Sequence, residues 1–356
     1  PDVDLVVEVM GGLEPARTLV LAALAAGKPV VTANKELLAR CGAELFEAAA
    51  KAGVDLLFEA AVAGAIPLMR PLRESLAGDR LQRVTGIVNG TTNFILTRMT
   101  ETKASFDDAL AEAQALGYAE RDPTADVDGF DAAAKAAIIA SVAFGVQVGV
   151  EDVFREGIRG IDADDIAMAG RLGYVVKLLA LAEADGDQVS VRVHPAMVPK
   201  DHPLAAVREA FNAVFVEGAA AGELMFYGRG AGGRPTASAV LGDVIDAASN
   251  LRQGTAGGVA GLARARIRPM EELESQYYLS IDVLDRPGVL EKVAGATARH
   301  NVSIRQMEQV GMGDEARLVL VTHMARERDM QATIADLHGL DVVDRVGALL
   351  RVIGPE

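Results

Sequence analysis

Apolar and polar positions fall into blocks along the chain. Residues 5–10 make a nearly continuous apolar run that stops at Gly11-Gly12. Residues 14–26 have helical spacing, with Pro15 in the first turn and Gly27 at the end, the expected helix punctuation. A second apolar run covers 29–32, a second helical stretch closed by Gly53 covers 35–52, and a third run covers 54–58. Strand and helix alternating with short links predicts a parallel sheet with covering helices. Ligands in such sheets sit beyond the carboxyl ends of the strands, here the loops 11–12, 32–35 and 59–67.

Further on, a strand is predicted at 81–88, followed by Asn89-Gly90-Thr91-Thr92-Asn93, where Asn-Gly reads as a turn. Helices are expected at 93–100 and 106–116, and an apolar helical run at 132–148. Residues 151–174 are mixed in pattern. Residues 175–184 and 188–197 read as paired strands around Asp185-Gly186-Asp187, with 212–217 and 224–227 in the same sheet. The glycine-rich loop 228–233 leads into a helix at 236–251, either an anion-binding loop at a helix N-terminus or a flexible connector. Residues 263–276 carry charges and Pro269 and read as a linker. Beyond them strand, helix, strand, strand, helix, strand follow at 277–283, 289–300, 302–310, 317–324, 328–338 and 342–353. The two middle strands flank 311–314, and the order is that of a small ferredoxin-like βαββαβ sandwich.

The 356 residues allow two or three domains. With 50% hydrophobic and 24% charged residues, the composition is that of a globular protein. Its net charge of -15 argues against nucleic acid or an anionic membrane as partner. Cys41 stands alone, which excludes an internal disulfide and fits a reducing cytoplasm. The longest apolar candidate, 136–150, is too short to span a bilayer and begins beside Lys135. No basic segment followed by an apolar core marks a signal peptide. A dinucleotide-binding domain opens with a strand and a G-x-G-x-x-G turn. No such turn precedes Leu5, so Pro1 reads as falling inside a domain whose first unit would need about 30 more residues.

Chemistry concentrates in residues 117–135. Glu112, Glu120, Asp122, Asp126, Asp128 and Asp131 crowd the approach to the apolar helix, and Lys135 stands four residues after Asp131. On a helix that pair shares one face. The acids are either caps and a solvated surface pair or the wall of a site for something cationic. Asp126-Val127-Asp128-Gly129 looks like the middle of an EF-hand, but the register puts Thr124 first and Lys135 where the bidentate Glu belongs.

Taken together, Thr32-Ala-Asn-Lys35, Glu59-Ala-Ala-Val-Ala-Gly-Ala-Ile-Pro67, Asn89-Gly-Thr-Thr-Asn-Phe94, Gly117-Tyr-Ala-Glu-Arg-Asp-Pro123, Asp126-Val-Asp-Gly-Phe-Asp131 with Lys135, and Gly228-Arg-Gly-Ala-Gly-Gly-Arg-Pro-Thr236 resemble homoserine dehydrogenase over nearly the whole chain. The segment from about Tyr278, with Asp285-Arg-Pro-Gly-Val-Leu290, resembles an ACT domain. The resemblance implies an α/β protein: a partial Rossmann-type parallel sheet, an α+β substrate and dimerisation domain with an open mixed sheet, and a ferredoxin-like regulatory domain. The implied boundaries are 1–60 completed by 234–262, then 61–233, a linker at 263–277, and 278–356.

The implied reaction is the NAD(H)- or NADP(H)-dependent interconversion of L-homoserine and L-aspartate 4-semialdehyde in the cytoplasm. The resemblance gives Lys135 the role of general acid/base, with Lys35 as a second cation near the reacting centre. It puts Glu120 and Asp131 on the substrate ammonium, with Asp126 close by. Thr32, Lys35, Gly117, Gly230 and Gly232 would contact the cofactor. Glu59 and the carbonyls of Val62, Gly64 and Ile66 would hold a monovalent cation, Na+ or K+, with hard oxygen ligands. An amino-acid effector such as threonine is expected at the ACT domain, and open sheet edges point to a homodimer or homotetramer. The competing reading is a non-catalytic amino-acid sensor in which only the ACT domain works.

Overall fold

The computed structural model describes residues 2–259, 261–311 and 313–354; Ala260, Met312 in the expected 311–314 turn, and the two chain ends lie outside the described residues. The first unit is a three-stranded parallel sheet in the order β1 (Val6–Glu8), β2 (Val30–Thr32), β3 (Leu56–Leu57). Helices α1 (Ala16–Ala25) and α2 (Lys35–Ala52) connect the strands. Helix α2 starts and stops where its punctuation dictates. The Asn34 side chain accepts from Leu37 N–H, and Gly53 closes the helix at φ 65°. Val30 and Leu56 pack with α1 and α2, while Val31 and Leu57 face Ala247 on the helix Gly233–Gln253. That distant helix therefore covers the second face of the first sheet.

The second unit is an open sheet. Strand β4 (Leu81–Ile87) pairs antiparallel with both Tyr174–Asp185 and Phe211–Gly218. The hairpin partners Gln188–Pro199 and Gly222–Arg229 extend it on either side. Against it lie α3 (Gly90–Thr102), α4 (Phe106–Ala115), the short α5 (Thr124–Val127) and α6 (Phe130–Phe144). Helix α6 is apolar almost all round, and such a helix belongs in the interior. Ala132, Ala133, Ala136, Ala137, Ile138, Ile139 and Ala140 are all buried, and Asp131 and Lys135 go in with them.

Several sequence expectations change. Asn89-Gly90 is not a turn: the Asn89 side chain accepts from Thr92 N–H and caps α3. Asn serves turns and N-caps alike, and the tertiary context selects the cap. The mixed stretch 151–174 contains the helix Ala163–Arg171, capped by Asp162. Residues 263–276 are not a free connector. Ala263–Arg264 pairs with Val146–Gln147, Arg266–Ile267 pairs with Gln188–Val189, and the last strand group already begins at Glu274.

The C-terminal unit has the expected βαββαβ order. Its sheet runs Val343–Val352, Glu274–Leu284, Glu315–Thr322, Ile304–Gly311, with helices Val289–Arg299 and Glu327–His338 on one face. Its edge is not free. Arg351 and Val352 pair parallel with Ala196 and Met197, so this sheet continues the central one. The join is reinforced by Tyr278 Oη donating to Asp165 (3.0 Å), Arg317 to Asp164 (2.9 Å) and Arg345 to Asp162 (3.1 Å).

Candidate functional site

A cleft of about 560 Å³ opens where the N-termini of α2, α3 and α6 meet the turn 209–212 and the glycine loop 229–232. Two helix starts bring its central charges together. Lys35 is the first residue of α2, and Asp131 lies in the first turn of α6. Asp131 Oδ1 is 2.5 Å from Lys35 Nζ, and its Oδ2 is 2.7 Å from Lys135 Nζ. Lys135 Nζ also donates to the Val88 carbonyl (2.7 Å). Asn89, oriented by its cap on α3, donates through Nδ2 to Asp131 (2.9 Å) and Asp126 (2.6 Å).

The electrostatics follow from burial and pairing. Burial alone would push the Asp131 carboxyl up, but Lys135 and Lys35 together hold it well below the usual carboxylate range. Burial pulls Lys35 down, yet Asp131, then Asp126 and Glu120, raise it above the ordinary lysine value. The N-terminal dipole of α2 disfavours a cation at Lys35 and that of α6 favours an anion at Asp131. The pair sits across both ends, so Asp131 neutralises what α2 would oppose.

The other expected residues are spread around this centre. Asp126 lines the cleft; Glu120 is exposed, outside the cleft lining, and acts on Lys35 only through its charge. Asp122 accepts from Thr124 N–H and Asp128 pairs with Arg159, both as turn residues. Gly117, at φ 77°, and Gly230 and Gly232 line the cleft. Thr32 is fully buried, and its hydroxyl donates to Glu8 (2.6 Å) behind the strand ends. Gly64 and Gly230 are required by close approach. A Cβ on Gly64 would stand 2.4 Å from the Gly230 carbonyl oxygen, and one on Gly230 would stand 2.0 Å from Asn212 Nδ2.

Glu59 is committed to a structural task. Its Oε1 accepts from Leu68 N–H and Met69 N–H (2.8 Å) and its Oε2 from Arg70 N–H (2.9 Å). Its carboxylate caps the segment that follows, using three of its roughly four acceptor positions. No cluster of three or more His, Cys, Asp or Glu side chains is placed to hold a metal ion among the described residues. The cradle does suit a flat dinucleotide end. Glycines form one wall, charges the other, and Asn212, only 1% exposed, has neither amide atom bonded among the described residues.

Sequence reasoning missed Asn89, Thr91, Glu209 and Asn212. Asn89 was visible inside its motif, but a cap that also grips two carboxylates needs the fold to bring α6 to α3. Thr91 donates to the Tyr118 carbonyl (2.6 Å) and ties the Gly117 loop to α3. Asn212 had no signal beyond one polar residue in a strand.

The acidic loop also connects to the C-terminal unit. Arg351, 1% exposed, donates to Glu327 (3.1 Å through Nε) and to Glu156. Residues following Glu156 grip the loop before α6: Ile158 N–H donates to the Val127 carbonyl (2.8 Å), and Arg159 to Asp128 (2.6 Å). Among the described residues, no helix is long and apolar enough to cross a membrane.

Comparison with known proteins gives the family resemblance. Residues 67–245 match the family described as "Homoserine dehydrogenase", 1–59 "Homoserine dehydrogenase, NAD binding domain", and 277–342 "ACT domain". The chain is 54% identical to the homoserine dehydrogenase of Mycobacterium tuberculosis, over 99% of its own length and 83% of that relative. It is 54% identical to that of Corynebacterium glutamicum, over 99% and 80%. Among solved structures, a homoserine dehydrogenase from Thiobacillus denitrificans superposes with a TM-score of 0.94 at 43% identity, over 99% of this chain and 83% of that one. A hyperthermophilic archaeal homoserine dehydrogenase in complex with NADPH gives a TM-score of 0.60 at 35% identity, over 68% and 72%.

Proposed function

The chain belongs to the homoserine dehydrogenase family, and from that premise we propose that the cleft around Asp131 is where homoserine and aspartate semialdehyde are interconverted. The observation that carries this reading is a single carboxylate holding two lysines at the mouth of a glycine-walled cleft. The nicotinamide nucleotide, NAD(H) or NADP(H), supplies or accepts the hydride when bound.

Lys135 handles the proton. Two of its three N–H donors go to Val88 and Asp131. The third position on the nitrogen faces the substrate oxygen, as a lone pair of the neutral amine towards the hydroxyl of homoserine and as an N–H of the ammonium towards the carbonyl of the semialdehyde. As the C–H bond breaks, that hydroxyl passes its proton to the lone pair of the neutral Lys135 amine, which becomes the ammonium; in the reverse direction the ammonium returns it. Asp131 holds the lysine in place, and Lys35 keeps Asp131 ionised. Asp131 spends three acceptor positions on Lys35, Lys135 and Asn89, so Asp126 is the better partner for the substrate ammonium. Glu120 adds negative field at the rim.

Gly117, Gly230 and Gly232, with Lys35 and the Thr32 strand end, form the cofactor side. A monovalent cation held by Glu59 and the carbonyls of Val62, Gly64 and Ile66 would stiffen the turn against the glycine loop. The division into a nucleotide part, 1–60 with 234–262, a substrate part at 61–233 and an ACT part from 278 follows the three packed units. An amino-acid effector such as threonine at the ACT domain would reach the acidic loop through Arg351, Glu156 and the 157–159 segment. The edge strand Gly222–Arg229, which exposes Met225 and Tyr227, supports a homo-oligomer, a dimer or tetramer. The test of the site is homoserine affinity in Asp126→Asn. Weakened binding is expected, and unchanged binding with unchanged turnover would remove Asp126 from the role.

A further inference from the structure

Lys177 is the fourth residue of the strand Tyr174–Asp185, which packs against α3. It is 4% exposed. Its ammonium donates to Asn93 Oδ1 (2.9 Å) and to the Val207 carbonyl (2.5 Å), neither of them charged. Burial lowers it first, Arg208 lowers it further, and Glu101 gives only a distant counterweight, leaving it at about 8. A cation taken out of water against neutral acceptors is costly to fold. An apolar side chain of similar length would fill the same space without that cost.

What the lysine secures is the amide of Asn93. With Oδ1 occupied by the ammonium, Nδ2 must face the other way. There it meets three carbonyls of one short turn, those of Val207 (3.3 Å), Glu209 (2.8 Å) and Phe211 (3.3 Å). The turn is bent tightly enough to put Glu209 at φ 55°, a left-handed position that a non-glycine residue adopts only when its surroundings impose it. It also presses on α3, where a Cβ on Gly90 would stand 2.8 Å from the Ala210 carbonyl oxygen. The outer side of this turn, Glu209 to Asn212, is one wall of the cleft.

We propose that Lys177 is a positioning residue for the substrate cleft, acting through Asn93 to hold the strained 207–212 wall in place opposite Lys35, Asp131 and Lys135. The inference rests on the reading of that cleft as the homoserine site. The wall takes no part in the proton transfer assigned to Lys135, so its loosening removes binding common to ground and transition states. Such a loss appears in KM rather than kcat.

The experiment is steady-state kinetics with homoserine on Lys177→Met, Asn93→Ala and the double variant, with thermal unfolding of each protein. The expected result is a folded Lys177→Met enzyme with KM for homoserine raised about ten-fold or more and kcat within about three-fold of the parent. The double variant should be little worse than either single one, since both break one clamp. If Lys177→Met does not fold, Lys177→Gln carries the test, because its amide keeps a donor for Val207; an intermediate rise in KM is expected. A folded variant with unchanged KM, or fully additive losses in the double variant, would overturn the proposal. Failure of the site reading itself would show separately, as undiminished turnover in Lys135→Met.

Discussion

Asp131 stands between Lys35 and Lys135, one carboxylate oxygen 2.5 Å from the first ammonium and the other 2.7 Å from the second. Among the described residues neither lysine makes a second ion pair, so Asp131→Asn is expected to damage stability as well as turnover. Removing one member of a buried charge group costs about 3–5 kcal/mol. The sign with pH is fixed by the depressed folded value. The stabilisation is present above the unfolded carboxylate value, about 4, and is lost as pH falls below it. Denaturant unfolding of parent and variant across pH 3–7 should show the gap close towards the acid end. A gap that does not change with pH would contradict the pairing.

The join between the ACT unit and the central sheet should strengthen in acid. Asp165 is pushed up to about 6 by burial and by Asp162, while it accepts from Tyr278 Oη. A carboxyl raised in the folded state binds its proton there when the unfolded chain has already lost it. Stability therefore falls as pH rises from about 4 to 6. Asp165→Asn keeps an acceptor for Tyr278 and removes the titration. It should stabilise the protein near neutral pH by roughly 1–3 kcal/mol and flatten the pH dependence, as read from chemical unfolding.

Arg351→Met should loosen the ACT unit without emptying the cleft. The substitution leaves the buried Glu327 carboxylate without its cation, held only by the neutral donors Tyr277 and Gln331, and cuts the tie to Glu156. The expected outcome is a destabilisation of about 3–5 kcal/mol, seen first as faster proteolysis after residue 268, together with loss of any amino-acid effect on the rate. Retained effector response in a folded variant would contradict the route through Glu156.

Close approach at the glycine loop gives a further expectation. Gly64→Ala places a Cβ against the Gly230 carbonyl at a positive φ of 61°, whereas Gly186→Ala, at the same φ of 61°, meets open space in a remote hairpin. Both should lose about 1 kcal/mol of stability to backbone strain. Only Gly64→Ala should weaken nucleotide binding, about ten-fold or more by titration. Equal nucleotide affinity in the two variants would contradict the proposed cofactor wall.

Local punctuation made much of this fold legible. Asn34 and Gly53 mark both ends of α2, and the Asp185-Gly186-Asp187 turn marks its hairpin. Residues with two uses were harder. Asn89 fits a turn or the cap it becomes, and Glu59 fits an ion ligand and a cap alike. The union of the ACT sheet with the central one rests on a two-residue parallel pairing, too short to leave a periodic signal. Lys135 and Asp131 were visible because they share a helix face. Lys177 was hidden because its partners, the Asn93 amide and the Val207 carbonyl, lie 84 and 30 residues away in the chain.

The role of Lys135 is the central claim, and kcat for homoserine oxidation in Lys135→Met tests it most directly. Reduced nicotinamide formation is followed beside the parent enzyme, with nucleotide affinity and thermal unfolding measured on the same preparations. Loss of the acid/base group is expected to lower kcat by about 10²–10⁴-fold or more, with nucleotide binding retained. A folded Lys135→Met enzyme that turns over homoserine at the parent rate would contradict the account.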